Sequence, residues 1–285
     1  MKIEDTIFIE EVQKRYELLT DTYISLYNNA LKKFKNETIH DLRVCSRRII
    51  TLVEFALTKI NSVYGENLIK ILKFYFKKLS KLRDIQILQE NNKAKAINSK
   101  NWLAFINYLV KQEKKTIKKL QSLFSQEKLT EIEGLFFFFE LEMRKALNNG
   151  AIKAKDLVEA INEKYKQVMI KYNQIEISDI ETIHKFRIKF KKFRYLYEFL
   201  QQIDAENSIS SKELGKYQTL LGDIQDSEIL NRSILVYLKK TGKYNQASEL
   251  LSDAAGIKTA AVLKFIEKKN EIYKFWVEQS ETETN

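Results

Sequence analysis

Two segments of the chain place a histidine ahead of cations at fixed spacing. The first holds His40, Arg43, Arg47 and Arg48; 144 residues later come His184, Arg187, Lys191, Lys192 and Arg194. Guanidinium forks, ammonium groups and imidazoles are donors suited to phosphate oxygens, Arg through bidentate contacts and Lys as a point charge. Turned at about 100° per residue, His40, Arg43, Arg47, Ile50 and Glu54 fall on one arc of roughly 80°. Leu42, Cys45, Ile49, Leu52, Val53 and Ala56 fall opposite. His184, Arg187, Lys191, Arg194 and Glu198 repeat the arc, against Phe186, Phe193, Leu196, Tyr197 and Leu200. Arg48 and Lys192 lie off both arcs, on one flank. A solvated charged face is the usual meaning of such a stripe, but solvated faces interleave both signs, and these hold cations before a single Glu.

A second basic row follows. Lys70, Lys73, Lys77 and Lys81 share the helix face opposite Leu68, Leu72, Tyr75, Phe76, Leu79 and Leu82. Like charges at i, i+3 and i+4 disfavour a helix slightly, a liability that a bound anion converts into affinity. The second half keeps Lys212 and Lys216 but has Thr219 and Asp223 in place of Lys77 and Lys81, so positive potential is expected to be stronger in the first half.

Helices must position these residues. Among 285 residues there is no proline and there are only seven glycines, too few turn formers for a β-rich or doubly wound fold and too few for glycine-rich phosphate loops. Apolar residues recur at i, i+3, i+4 and i+7 between polar breaks at 61–65, 91–100, 125–128, 148–155, 173–179 and 204–211, with further breaks near Gly242 and Gly256. About nine or ten helices are expected from this pattern. Glu37-Thr38-Ile39-His40 recurs letter for letter as Glu181-Thr182-Ile183-His184, and Glu54-Phe55 as Glu198-Phe199. Further on, Arg83-Asp84-Ile85-Gln86-Ile87-Leu88 aligns with Gln225-Asp226-Ser227-Glu228-Ile229-Leu230. The reading is an all-α chain, an internal duplication of two antiparallel helical bundles, residues 1–150 and 151–285, whose paired stripes can face each other across a basic central cavity.

Composition narrows the chemistry further. Forty-nine Lys and Arg against 38 Asp and Glu give a net charge of +11, which calls for a polyanionic partner. One cysteine, Cys45, excludes a disulfide framework or a multi-cysteine metal site, and two distant histidines argue against a His-rich one. No secretory signal or membrane-spanning stretch is visible, so a cytoplasmic protein is expected.

The pattern H-x-x-R-x-x-x-[RK]-[RK]-x-R, present as HDLRVCSRRII and HKFRIKFKKFR, resembles the CHAD family, the conserved-histidine α-helical domains. The segments KLRDIQIL and LLGDIQDSEIL resemble that family's other signature. The resemblance implies two helical bundles around a basic cavity that binds inorganic polyphosphate, with targeting to polyphosphate granules. It assigns phosphate contacts to His40, Arg43, Arg47 and Arg48, and to His184, Arg187, Lys191, Lys192 and Arg194. Ile50 departs from it, standing where the family has the last Arg; the row Lys70, Lys73, Lys77 and Lys81 is the expected compensation.

Polyphosphate offers a flexible line of charges and no bases, so its binder needs cations in a focused site and no stacking platform. The alternative is a helical protein binding RNA or DNA non-specifically through the same phosphate contacts. The aromatics, 17 Phe, 14 Tyr and 2 Trp, fall mostly on apolar faces and speak for core packing instead. A catalytic role is not expected, and neither is a cofactor, a metal or a membrane partner. The nearest string to an E-x-E-x-K strand is Glu140-Leu141-Glu142-Met143-Arg144, which lacks the Lys and is helix-patterned. Asp84, Asp226, Glu54 and Glu198 lie beside cation rows, where pairing rather than Mg²⁺ binding is expected.

Overall fold

The computed structural model describes residues 4–203 and 211–276. The described residues form nine α-helices and two short 3-10 segments, with no strand. The helices are α1 (Asp5–Lys32), α2 (Asn36–Ala56), α3 (Val63–Asn98), α4 (Lys100–Gln121), α5 (Gln126–Asn148), α6 (Ala154–Tyr172), α7 (Ile180–Ile203), α8 (Ser211–Thr241) and α9 (Ala247–Lys268). The chain divides into two compact units, Met1–Asp156 and Leu157–Asn285.

Serines set three of the helix starts. Ser62 Oγ accepts from Gly65 N at 2.9 Å, Ser99 Oγ from Asn101 N and Trp102 N at 3.2 Å, and Ser125 Oγ from Lys128 N at 3.3 Å. Each satisfies backbone donors that the first turn leaves open. Two helices, α5 and α8, run into Gly150 and Gly242, whose positive φ values of 74° and 67° suit glycine.

The structure departs from the sequence pattern at two breaks, near Gly256 and at 33–35. The break expected at 91–100 is present but narrow: Ser99 alone separates α3 from α4, and Asn92, buried with its amide donating to Leu88 O at 2.9 Å, belongs to α3. Gly256 lies inside α9 with open space where a Cβ would stand, and one glycine costs a helix only about 1 kcal/mol. Conversely, Lys33-Phe34-Lys35 separates α1 from α2 without any turn residue, because Phe34 is buried and draws the chain round. The break expected at 204–211 falls, but for Ser211, outside the described residues.

The first unit packs α2 and α5 against α1, and α3 against α2, α4 and α5. Its centre is aromatic: Tyr16, Tyr23, Tyr27, Tyr75, Phe124, Phe136 and Phe139 meet at ring separations of 4.7–6.4 Å. Two of the buried hydroxyls donate to backbone carbonyls, Tyr16 to Phe136 O and Tyr75 to Leu123 O, each at 3.1 Å. In the second unit α8 packs against α7 and α9 around Phe186, Phe190, Phe193, Tyr217, Phe265 and Phe275. Tyr217 donates to Lys269 O at 2.8 Å and Trp276 Nε1 to Asn162 Oδ1 at 2.7 Å. Both cores turn α2 and α7 the same way: the apolar side is buried and the His–Arg side lies toward solvent.

Candidate anion-binding site

In the first unit, α2 delivers its cations against one strip of α3. Arg43 Nη1 donates to Phe76 O at 2.8 Å and to Ser80 Oγ at 2.7 Å, while Ser80 Oγ itself donates to Phe76 O at 2.9 Å. The Arg43 guanidinium lies over the Phe76 ring at 4.2 Å, and that of Arg47 stands 5.5 Å from the same ring. One half-buried phenylalanine thus serves as the floor for two cations, holding them through the negative face of its ring. Arg83, one turn further along α3, donates to Asn36 Oδ1, and Asn36 Nδ2 donates to Glu90 Oε2 at 3.3 Å. The first residue of α2 is therefore tied to α3 as well.

His40 stands in the second turn of α2 and does not cap it, since Lys35 holds the N-cap position. Its ring is largely exposed, yet its pKa is lowered from the usual 6.5. Partial burial is the leading cause and Arg83 the next; Arg47 and Arg43 add to it, against one raising charge, Asp41. Burial first, and the three guanidiniums after it, disfavour the imidazolium in the free protein.

The position that breaks the cation pattern, Ile50, is buried at 8% exposure. Without a guanidinium there, Glu54 pairs across the helices with Lys73 of α3, at 2.7 Å. Lys70, Lys77 and Lys81 are exposed along the same side of α3. Arg48, on the flank of the stripe, and Arg15 of α1 act against the burial that pushes the Cys45 thiol up.

The second unit builds its version differently. His184, also fifth in its helix, is hydrogen-bonded through Nδ1 to Gln225 Oε1 of α8, a neutral partner. Arg194 donates to Glu198 one turn on, with Nε and Nη2 both 2.6 Å from Oε1, and the pair is mostly buried. The guanidinium lies beside Gly215 of α8, where a Cβ would stand in ordinary contact, 3.8 Å from Arg194 Nη2. Arg187 and Lys191 are half-exposed on the same face of α7; Lys192, Lys212 and Lys216 are exposed.

Ser80 and Asn36 were not singled out from the sequence, and Phe76 and Arg83 stood there only as part of the leucine stripe and of the repeated segment. The signal for three of them is an i, i+4, i+7 stripe of Phe, Ser and Arg lying between the leucine and lysine stripes of α3. Among the described residues no group of three His, Cys, Asp or Glu is placed to hold a metal ion, and no helix is long and apolar enough to cross a membrane.

This face, a histidine and arginines of one helix laid on the next, lies within the stretch of residues 24–234 that matches the CHAD domain model. The chain belongs to the CHAD family. The match runs from within α1 into α8 and takes in every residue of both His–Arg motifs. In fold the chain is similar to the crystal structure of the CHAD domain from the plant Ricinus communis, with a TM-score of 0.68 over 93% of this chain and 89% of that one, at 15% identity. No curated protein matches it.

Proposed function

We propose that this CHAD protein binds inorganic polyphosphate and associates with polyphosphate granules, without acting as an enzyme. The observation that carries the reading is the arrangement over Phe76, where Arg43 and Arg47 are held on one ring beside His40 and Arg83. Cations fixed in this way meet phosphate oxygens without first losing the rotamer freedom of a free surface Arg. Contacts would come from His40, Arg43 and Arg47 with the lysines of α3 in the first unit. In the second they would come from His184, Arg187, Lys191 and Arg194 with Lys212 and Lys216. Arg48 and Lys192, on the flanks of the two stripes, complete the proposed contacts. A chain of phosphates, one charge per unit and nothing else to read, matches a surface that offers forks and point charges.

The test is a titration of the protein with long-chain polyphosphate at several salt concentrations, with tripolyphosphate and an unstructured RNA alongside. Binding that prefers long polyphosphate, weakens steeply with salt and drops in Arg43→Ala/Arg187→Ala supports the proposal. Equal affinity for RNA, or affinity untouched by the double substitution, rejects it in favour of an unspecific basic surface.

A further inference from the structure

The first unit carries an apolar face that shares only Lys70 with the proposed phosphate contacts. Between α3 and α5 runs an open groove of about 580 Å³, lined by Tyr64, Ile71, Phe74, Leu135 and Phe138, with Lys70 on the α3 wall and Glu131 on the α5 wall. Tyr64 and Phe138 stack across it at 4.9 Å. Phe138 is 45% exposed and Phe74 44%; Val63, Phe137 and Leu141 extend the patch and are more exposed still.

Three features of this face converge on one occupant. Its exposed apolar side-chain area is on the order of 450 Å², taking a fully exposed aromatic side chain as about 200 Å². A standard interface covers about 800 Å² on each partner, somewhat over half of it apolar, so the patch matches one side of such an interface. Gly134, in the middle of α5, has nothing within 4 Å of where its Cβ would stand. A helix-interior glycine weakens its own helix, and no neighbour inside the chain requires this one; a second helix crossing there would approach the backbone closely. The charges on the two walls are opposite, so the face is complementary to itself.

We propose that this face is the contact between two copies of the chain, related by a two-fold axis. The α5 helix of each copy lies in the α3–α5 groove of the other, crossing near Gly134. Phe138 of each copy then fills the other's groove, and Glu131 of each reaches Lys70 of the other. An isologous contact of this kind closes on itself and stops at a dimer. Glu131 pairs with Lys128 on its own helix at 2.7 Å in the single chain, an exposed pair worth little and readily exchanged.

Sedimentation velocity of the full chain over a hundredfold concentration range, without polyphosphate, tests the proposal. The expected result is a concentration-dependent dimer whose dissociation constant rises about tenfold or more in Phe138→Glu, a magnitude usual for a central interface anchor. Lys70→Glu and Glu131→Lys each weaken the dimer, and the two together restore it, which a folding defect would not do. Thermal unfolding of Phe138→Glu separates loss of contact from loss of fold. A monomer throughout, a dimer indifferent to all three substitutions, or a charge swap that fails to restore association overturns the assignment. The assay contains no polyanion, so its outcome is independent of the polyphosphate reading.

Discussion

Replacing Phe76 by leucine removes the aromatic floor under two cations and leaves every charge in place. The backbone carbonyl that accepts from Arg43 stays, as does Ser80 Oγ, so Arg43 keeps its two hydrogen bonds and loses only the ring beneath it. At 4.2 and 5.5 Å from the centroid, the two guanidiniums each gain about 0.5–1 kcal/mol at a partly exposed site. If that hold is what presents them to phosphate, its loss costs about 1–2 kcal/mol of binding, a five- to thirtyfold weaker affinity for long-chain polyphosphate. The measurement is calorimetric titration at four salt concentrations for wild type and variant. The dependence of log K on log salt counts the charges engaged, and Phe76→Leu removes none, so the two lines are expected to be parallel and displaced. Arg43→Ala, by contrast, both displaces the line and flattens it. A variant within twofold of wild type refutes the positioning role of the ring. A flattened slope in Phe76→Leu refutes it too, since a charge contact would then have been lost.

Three further expectations rest on the same structure. Bound phosphates favour the protonated form of His40, whose pKa in the free protein lies below 6.5, so polyphosphate affinity should strengthen as pH falls from 7.5 to 5.5; titrations of His40→Gln should show a shallower rise. Glu54→Gln releases Lys73 from its carboxylate and adds one net positive charge, for an affinity about two- to fivefold tighter at low salt; equal or weaker binding would show that Lys73 needs Glu54 to hold it in place. Gly65→Ala sets a methyl 2.7 Å from the buried Phe139 ring and 3.0 Å from Leu57, and chemical denaturation should show a loss of about 1–2 kcal/mol after the better helix propensity of Ala is counted.

Much of the scaffold could be read from residue types because helices are local. The absence of proline, the 3.6-residue period and the serines before the first turns depend only on near neighbours, and the burial of Ile39, Leu42, Ile49 and Val53 follows from that period. The His–Arg faces were legible for the same reason, since each is one stripe of one helix. Contacts between helices were not. That Arg43 meets Phe76 rather than any other residue of α3 depends on the axial register of two helices, which neither helix encodes alone. Phe76 itself was read with the leucine stripe, because an aromatic side chain that supports a cation has the same hydropathy as one that fills a core. The partner of Glu54 was hidden likewise: Ile50 announced a missing cation, while its replacement from α3 needed the packing to be seen. The break at 91–100 was legible but not its width, because an amide such as that of Asn92, bonded back to the preceding turn, has the composition of a loop.

Glu54 and Glu198, each held by a cation of its own unit, differ in what they fasten. Arg194 and Glu198 belong to one helix, so their bond stiffens α7 and is indifferent to the angle at which α8 crosses it. Lys73 and Glu54 belong to different helices, and their bond is a latch between α2 and α3. An anion that draws Lys73 to itself opens that latch, while one that draws Arg194 from Glu198 breaks a bond within one helix. Ligand and carboxylate therefore compete in the first unit for the ammonium that closes it. Amide exchange in α2 and α3 would carry the record of that competition.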